Sequence, residues 1–151
     1  MYSLNRLRIS IILPVIVGAA IYLTARDSRI AANLMIEYLI GKENYDQLRS
    51  EYFVQFWSVM PEWTYLSLPN ALWTFSFAIS FLLIWQNGRV FFWASLSWCV
   101  SILFEVLQIF GIVPGTFDPY DLLLVIIAVF FSWMYITSWL KQYLLKPPIK
   151  R

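Results

Sequence analysis

The chain has 151 residues, of which 60% are hydrophobic, 19% are aromatic and only 13% are charged, with a net charge of +2 and no histidine. A soluble domain carries about 25% charged residues, so this composition predicts a membrane protein, and the length suits one domain. The absence of histidine excludes histidine-ligated metals and histidine bases, and the small net charge gives no reason to expect nucleic-acid binding.

Four apolar stretches are candidates for membrane spans, which need about 20 residues each. They cover about residues 7–24, 69–85, 91–112 and 119–140, and the second is the shortest. Arg6 and Arg8 lie at the start of the first stretch as in a signal peptide, but no clean cleavage site follows it, so we interpret it as a retained helix. The sequence therefore predicts an all-α membrane protein with four transmembrane helices in a single domain, residues 1–151.

The segment 25–68, between the first two stretches, has the pattern of two amphipathic helices. Ser28 is suited to cap a helix that ends before Gly41, and a second helix is expected over about residues 45–57. We expect Phe53, Phe56 and Trp57 to touch lipid or the helix bundle. Two interpretations stay open: a lid over the helix ends, or an element that grips a lipid or another ligand.

The basic residues predict the orientation of the chain. If the N-terminus is cytoplasmic, seven of the eleven basic residues lie on the cytoplasmic side, and every acidic residue except Glu105 lies outside the membrane or at its outer face. The seven are Arg6, Arg8, Arg89, Lys141, Lys146, Lys150 and Arg151. Because cytoplasmic loops are enriched in Lys and Arg, both termini are predicted to be cytoplasmic, with segment 25–68 extracytoplasmic.

Glu105 is the one acidic residue predicted to lie within the membrane. It follows Phe91 by about 21 Å along a helix, in the outer half of the hydrocarbon. A charge at the centre of a span costs about 2.5–3.5 kcal/mol, so Glu105 should face the bundle interior and be hydrogen-bonded. Gln108 lies on the same helical face. Asp118 and Pro119 open the fourth helix, where Asp118 suits the cap.

The second stretch opens with Asn70 and Trp73, at the same predicted membrane depth as the polar residues of the third and fourth. Three helix ends would then meet around a polar pocket that opens to the outer face. Its candidate ligand-binding residues are Asn70, Trp73, Glu105, Gln108, Thr116, Asp118 and Asp121. A purely structural role stays open for Asp118 and Asp121, as caps, and for Glu105.

The motif E-x-x-Q followed about ten residues later by D-x-x-D is formed by Glu105, Gln108, Asp118 and Asp121, with Phe117 before the first aspartate. It resembles the core of the VanZ-like family, small multi-span bacterial membrane proteins named for reduced sensitivity to the glycopeptide teicoplanin. The resemblance covers about residues 69–131, with Thr116 where the family often has arginine. It implies a protein of the bacterial cytoplasmic membrane and cell envelope, with antibiotic resistance as the activity of the founding members.

Three functions follow from these observations. The favoured one is a binding protein whose pocket holds a lipid head group or a lipoglycopeptide, since acidic and amide groups suit amines, hydroxyls and sugars. The second is a small accessory subunit of a larger membrane complex. The third is an enzyme that uses Glu105 and Asp121 as an acid/base pair or as metal ligands. We expect no cofactor and no metal; the expected partners are membrane lipids and, in the second case, other membrane subunits.

Overall fold

The computed structural model describes residues 4–25, 31–113 and 117–144. Over these ranges 88% of the residues are helical and none is in a strand, which confirms the all-α prediction. The predicted cap at Ser28 and the candidate site residue Thr116 lie outside the described residues.

Three of the described helices are long and apolar enough to cross a membrane: α1 (Leu4–Ala25), α7 (Arg89–Ile109) and α8 (Pro119–Leu144). A fourth apolar helix, α6 (Leu68–Ser80), continues as a 3₁₀ turn over Phe81–Leu83 and is shorter than the other three. The amide N–H groups of Ile84 and Trp85 both bond to the carbonyl of Phe81 and turn the chain out of the helix. Three of the four predicted spans thus correspond to helices that are long and apolar enough to cross a membrane, and the fourth is not shown to be one. These apolar helices are compatible with an integral membrane protein.

The short helix α6 lies at the centre of the bundle and packs against α1, α7 and α8. It has small side chains on its buried surface, which let the neighbouring backbones approach closely. Its buried residues are Pro69, Ala71, Thr74, Ser76, Ala78 and Ile79. Each of the other three helices leaves several large apolar side chains exposed, as a lipid-facing surface would.

The two ends of the bundle differ in chemistry. At one end, which we call the apolar end, the start of α1 and of α7 meet the last turns of α6 and α8. Leu7, Ile79, Val90 and Ile136 are fully buried there. The opposite end, where α1 and α7 end and α6 and α8 begin, we call the polar end.

Two interhelical hydrogen bonds help to fix the packing between these ends. The indole Nε1 of Trp98 on α7 donates to Ser132 Oγ on α8, at 2.9 Å. The hydroxyl of Tyr135 on α8 donates to Ser10 Oγ on α1, at 3.1 Å. Polar bonds of this kind hold helices together where the surroundings are as apolar as the side chains.

The segment between α1 and α6 is helical where it is described. It contains α2 (Ala31–Ile40), α3 (Lys42–Leu48), α4 (Val54–Ser58) and α5 (Glu62–Leu66), with a π-helical stretch over Arg49–Phe53. Gly41, with φ of 86°, ends α2 as expected from a glycine in the left-handed region. The predicted helix at 45–57 falls inside the continuous helical stretch from α3 to α4.

The two parts of this segment meet the rest of the molecule differently. Trp57 Nε1 donates to Thr24 Oγ1 at the end of α1, at 3.2 Å, and its ring packs edge-on against Tyr65. Trp57 therefore touches the bundle, as predicted. On α2, by contrast, the apolar side chains of Met35, Tyr38 and Leu39 are 69–90% exposed.

Candidate functional site

The last turns of α7 carry Glu105 and Gln108 to the polar end. The helix stops because Gly111 adopts φ of 64°, and its amide N–H bonds to the Gln108 carbonyl while that of Ile112 bonds to the Leu107 carbonyl. This is the Schellman arrangement that glycine favours. Glu105 is four residues before the end of α7, so it lies about 6 Å, or one turn, below that end.

The two aspartates at the start of α8, Asp118 and Asp121, have different roles. Asp118 Oδ1 accepts a hydrogen bond of 2.9 Å from the Tyr120 amide N–H, and the Asp118 carbonyl accepts one of 2.9 Å from the Asp121 amide. Asp118 thus caps α8, as predicted. The side chain of Asp121 is left to line the space between α8, α6 and α7.

Glu105 is buried at 3% exposure and faces the bundle interior, as predicted. Asn70 Nδ2, in the first turn of α6, donates to Glu105 Oε1 at 2.7 Å. A short bond from an amide to a carboxylate is what a buried acid requires, since an unpaired charge in apolar surroundings is costly. The sequence indicated that Asn70 and Glu105 share a depth; their direct contact comes from the packing of α6 against α7.

The polar residues enclose a cavity of about 200 Å³ at the polar end of the bundle. Its described lining residues are Tyr22, Leu66, Pro69, Asn70, Trp73, Glu105, Gln108 and Asp121. Five of the seven candidate residues are therefore brought together. Asp118 does not line the cavity, because its carboxylate caps α8 beside it. Whether the five bind a ligand stays a prediction.

Three residues that line this cavity each have one buried side-chain oxygen without a hydrogen-bond partner among the described residues: Glu105 Oε2, Gln108 Oε1 and Asp121 Oδ1. All three belong to acceptor groups, and no basic side chain is among the described lining residues. Buried acceptors are rarely left unpaired in folded proteins. The arrangement therefore suits a ligand that donates hydrogen bonds or carries positive charge. Nowhere in the described part of the chain do three or more acidic or cysteine side chains gather as a metal site would require.

Two residues that support the cavity were overlooked in the sequence. Thr74 Oγ1 contacts Ser101 Oγ, at 3.0 Å, and donates to the Asn70 carbonyl, at 2.9 Å, so it ties α6 to α7 one turn from the Asn70–Glu105 bond. Tyr22 comes from α1, and its ring centroid is 5.5 Å from that of Trp73. Thr74 follows Asn70 by one helical turn and could have been found from that spacing. For Tyr22 the sequence carries no signal, because nothing local shows that α1 ends beside α6.

The Asn70–Glu105 hydrogen bond yields a test of structure that does not depend on any ligand. Glu105→Leu leaves the half-buried Asn70 amide without its acceptor, so we expect a loss of about 1–3 kcal/mol in stability. Glu105→Gln retains an acceptor and should lose less. The double variant Asn70→Leu/Glu105→Leu removes both partners and should recover most of the loss. Thermal unfolding in detergent, with abundance in membranes, measures all three; equal stability of Glu105→Leu and the wild type would show that the bond contributes nothing.

No protein-family model, curated protein or solved structure matches this chain. The resemblance to the VanZ-like family therefore rests on the motif of Glu105, Gln108, Asp118 and Asp121 and stays a prediction.

Proposed function

We propose that this chain is a VanZ-like integral membrane protein that binds the head group of a membrane lipid, or of a lipoglycopeptide, in an outward-facing pocket. One observation carries the proposal: Glu105, Gln108 and Asp121 line one cavity, and each has a buried side-chain oxygen without a partner among the described residues, Glu105 Oε2, Gln108 Oε1 and Asp121 Oδ1. A buried polar atom without a partner costs about 1–3 kcal/mol, so a ligand that donates hydrogen bonds to all three would be held firmly.

The charge of the cavity favours an amine or a polyol over a phosphate. Glu105 and Asp121 are close enough to interact electrostatically, and the two carboxylates repel each other when both are ionised. A primary ammonium group would offset that repulsion and donate up to three hydrogen bonds. Sugar hydroxyls would donate without adding charge. Both groups occur in lipid head groups and in lipoglycopeptides.

The position of the cavity suits the interface between lipid and water. Tyr22 and Trp73 line its side, and Trp57 and Tyr65 lie on the adjoining segment, at the polar end. Aromatic residues of this type concentrate at the level of the head groups. A pocket beside them would meet a head group without drawing it into the hydrocarbon.

We further propose that α6 is a fourth span and that both termini are cytoplasmic, in a bacterial cytoplasmic membrane. Residues 68–83 extend about 25 Å, against about 30 Å of hydrocarbon. A mismatch of this size is tolerable for a helix that three longer helices surround. A second aromatic cluster supports the crossing: Phe81, Trp85 and Trp93 lie at the apolar end, with the two indoles stacked 5.1 Å apart.

The second candidate function is an accessory subunit of a larger membrane complex. The exposed apolar face of α2, with Tyr38 90% exposed, favours it, since such a face packs well on another protein. Purification in mild detergent from the native membrane separates the two functions. A stoichiometric protein partner that is lost when Tyr38 and Leu39 are replaced by serine would support the accessory role.

The head-group proposal predicts a preference for lipids with N–H or O–H donors. Phosphatidylethanolamine and phosphatidylcholine with the same acyl chains differ only in that three N-methyl groups replace the three N–H donors of the head group. Because hydrogen bonds to charged groups contribute about 1.5–3 kcal/mol, we expect the purified protein to retain phosphatidylethanolamine over phosphatidylcholine by about tenfold or more. Native mass spectrometry of the protein with equal amounts of both lipids and a glucosyl diacylglycerol measures the ratio, and a parallel titration with teicoplanin tests the lipoglycopeptide.

The variant for this experiment is Glu105→Gln, which should abolish the preference at normal abundance. Glu43→Gln is the matched control, since Glu43 is an exposed residue of α3 and should leave the preference unchanged. If phosphatidylcholine is retained as well as the other ligands, or if Glu105→Gln retains the wild-type preference, the pocket does not recognise head-group donors.

The proposed orientation is tested by labelling single cysteines from either side of the membrane in a Cys99→Ala background. Glu43→Cys lies in the exposed part of α3 and is expected to react with a membrane-impermeant maleimide from outside the cell. Gly88→Cys lies in the turn before α7, where an added side chain meets no atom within 4 Å, and is expected to react only after the cells are opened. The reverse pattern would overturn the orientation, and labelling of both from one side would overturn the crossing of α6.

A further inference from the structure

A second cavity lies beside the polar one, between α1 and α6. It has a volume of about 410 Å³ and is lined by Ile11, Val15, Trp73, Ser76, Phe77 and Ser80. Apart from two serine hydroxyls, the surface of this groove is apolar. The hydroxyl of Ser80 is already bonded to the Phe77 carbonyl, at 2.7 Å. We call this cavity the α1–α6 groove.

Trp73 is the wall that the polar cavity and the α1–α6 groove share. Its indole Nε1 donates to the Val15 carbonyl at 3.4 Å, and its ring packs against Tyr22. The indole can lie this close to α1 because residue 18 is glycine: a Cβ there would be only 2.6 Å from Nε1. Gly18 and Trp73 therefore keep the two cavities adjacent.

The groove extends away from the polar end. Ser76, Phe77 and Ser80 follow Trp73 by three to seven residues, so their side of the groove runs about 10 Å down α6. On α1, which is antiparallel, Val15 and Ile11 precede Gly18 and continue in the same direction. The polar cavity at the helix ends thus adjoins, across the indole of Trp73, an apolar groove that runs toward the middle of the bundle.

We propose that the ligand is an amphiphile with its donor head group in the polar cavity and one hydrocarbon chain in the α1–α6 groove. The inference rests on the proposed function and adds the chain to it. A hydrocarbon chain needs van der Waals contact and no hydrogen bonds, which is what Ile11, Val15 and Phe77 offer.

The test compares an acylated head group with the same head group alone. The probes are palmitoyl lysophosphatidylethanolamine and glycerophosphoethanolamine, and their affinities are measured by titration of the purified protein. Val15→Trp fills the groove from α1, and Val17→Trp is the matched control, since the two valines are 42% and 39% exposed and only Val15 lines the groove. We expect Val15→Trp to weaken binding of the acylated probe by about tenfold or more, the effect of losing about two buried methylene groups, and Val17→Trp to leave it unchanged.

A second pair of variants acts from α6, in case Val15→Trp does not fold. Ser80→Phe fills the groove, and Ser95→Phe is its control, because both hydroxyls bond to the carbonyl three residues earlier and only Ser80 lines the groove. Neither pair should change the affinity for glycerophosphoethanolamine.

The outcomes separate this inference from the proposed function. If Glu105→Gln abolishes binding while Val15→Trp and Ser80→Phe bind the acylated probe like the wild type, the head-group pocket stands and the chain site is overturned. The chain site is also overturned if the filled variants lose both probes equally. If Glu105→Gln binds both probes like the wild type, the proposed function fails and the chain site with it.

Discussion

The hydrogen bond from Asn70 to Glu105 is the interaction on which the polar end of this bundle depends. An acidic side chain that is 3% exposed needs a donor, and the first turn of α6 supplies one at 2.7 Å. Since Asn70 lies near the N-terminus of α6 and Glu105 near the C-terminus of α7, the bond sets how far one helix is shifted along the other. Thr74 and Ser101 repeat the contact one turn deeper.

The two ends of the bundle differ in role: apolar packing joins the helices at one end, and the polar cavity lies at the other. Apolar packing around Ile79 and Leu82 closes the apolar end. At the polar end, carboxylate and amide oxygens remain unpaired among the described residues. Because TM helices gain little from the hydrophobic effect once they are in lipid, packing at one end can hold the fold while the other end keeps an open site.

The short helix α6 lines both parts of the proposed ligand site. It contributes Asn70 to the polar cavity, Trp73 to the boundary between cavities and Ser76, Phe77 and Ser80 to the α1–α6 groove. Its central position explains how an apolar helix of this length stays stable, since its neighbours cover most of its surface. A ligand that bridges the cavity and the groove would contact α1, α6, α7 and α8 together, and would therefore stabilise the arrangement of all four.

The sequence by itself determined the helical class, the approximate position of the four apolar segments and the cap at Asp118. These features depend on local composition and on backbone preferences within one turn, so they can be predicted without the fold. It also predicted that Asn70, Trp73, Glu105, Gln108 and Asp121 lie at one membrane depth, because depth follows from counting residues along each helix.

Only the tertiary structure decided which of these residues touch. It paired Asn70 with Glu105, directed Asp118 away from the cavity and brought Tyr22 into its lining. It also showed that α6 ends before Ile84, short of the predicted span. These outcomes depend on how each helix is rotated and shifted against its neighbours, which in an apolar bundle is set by the packing of small residues such as Gly18 and Ala71 across helices and has no counterpart in the local sequence.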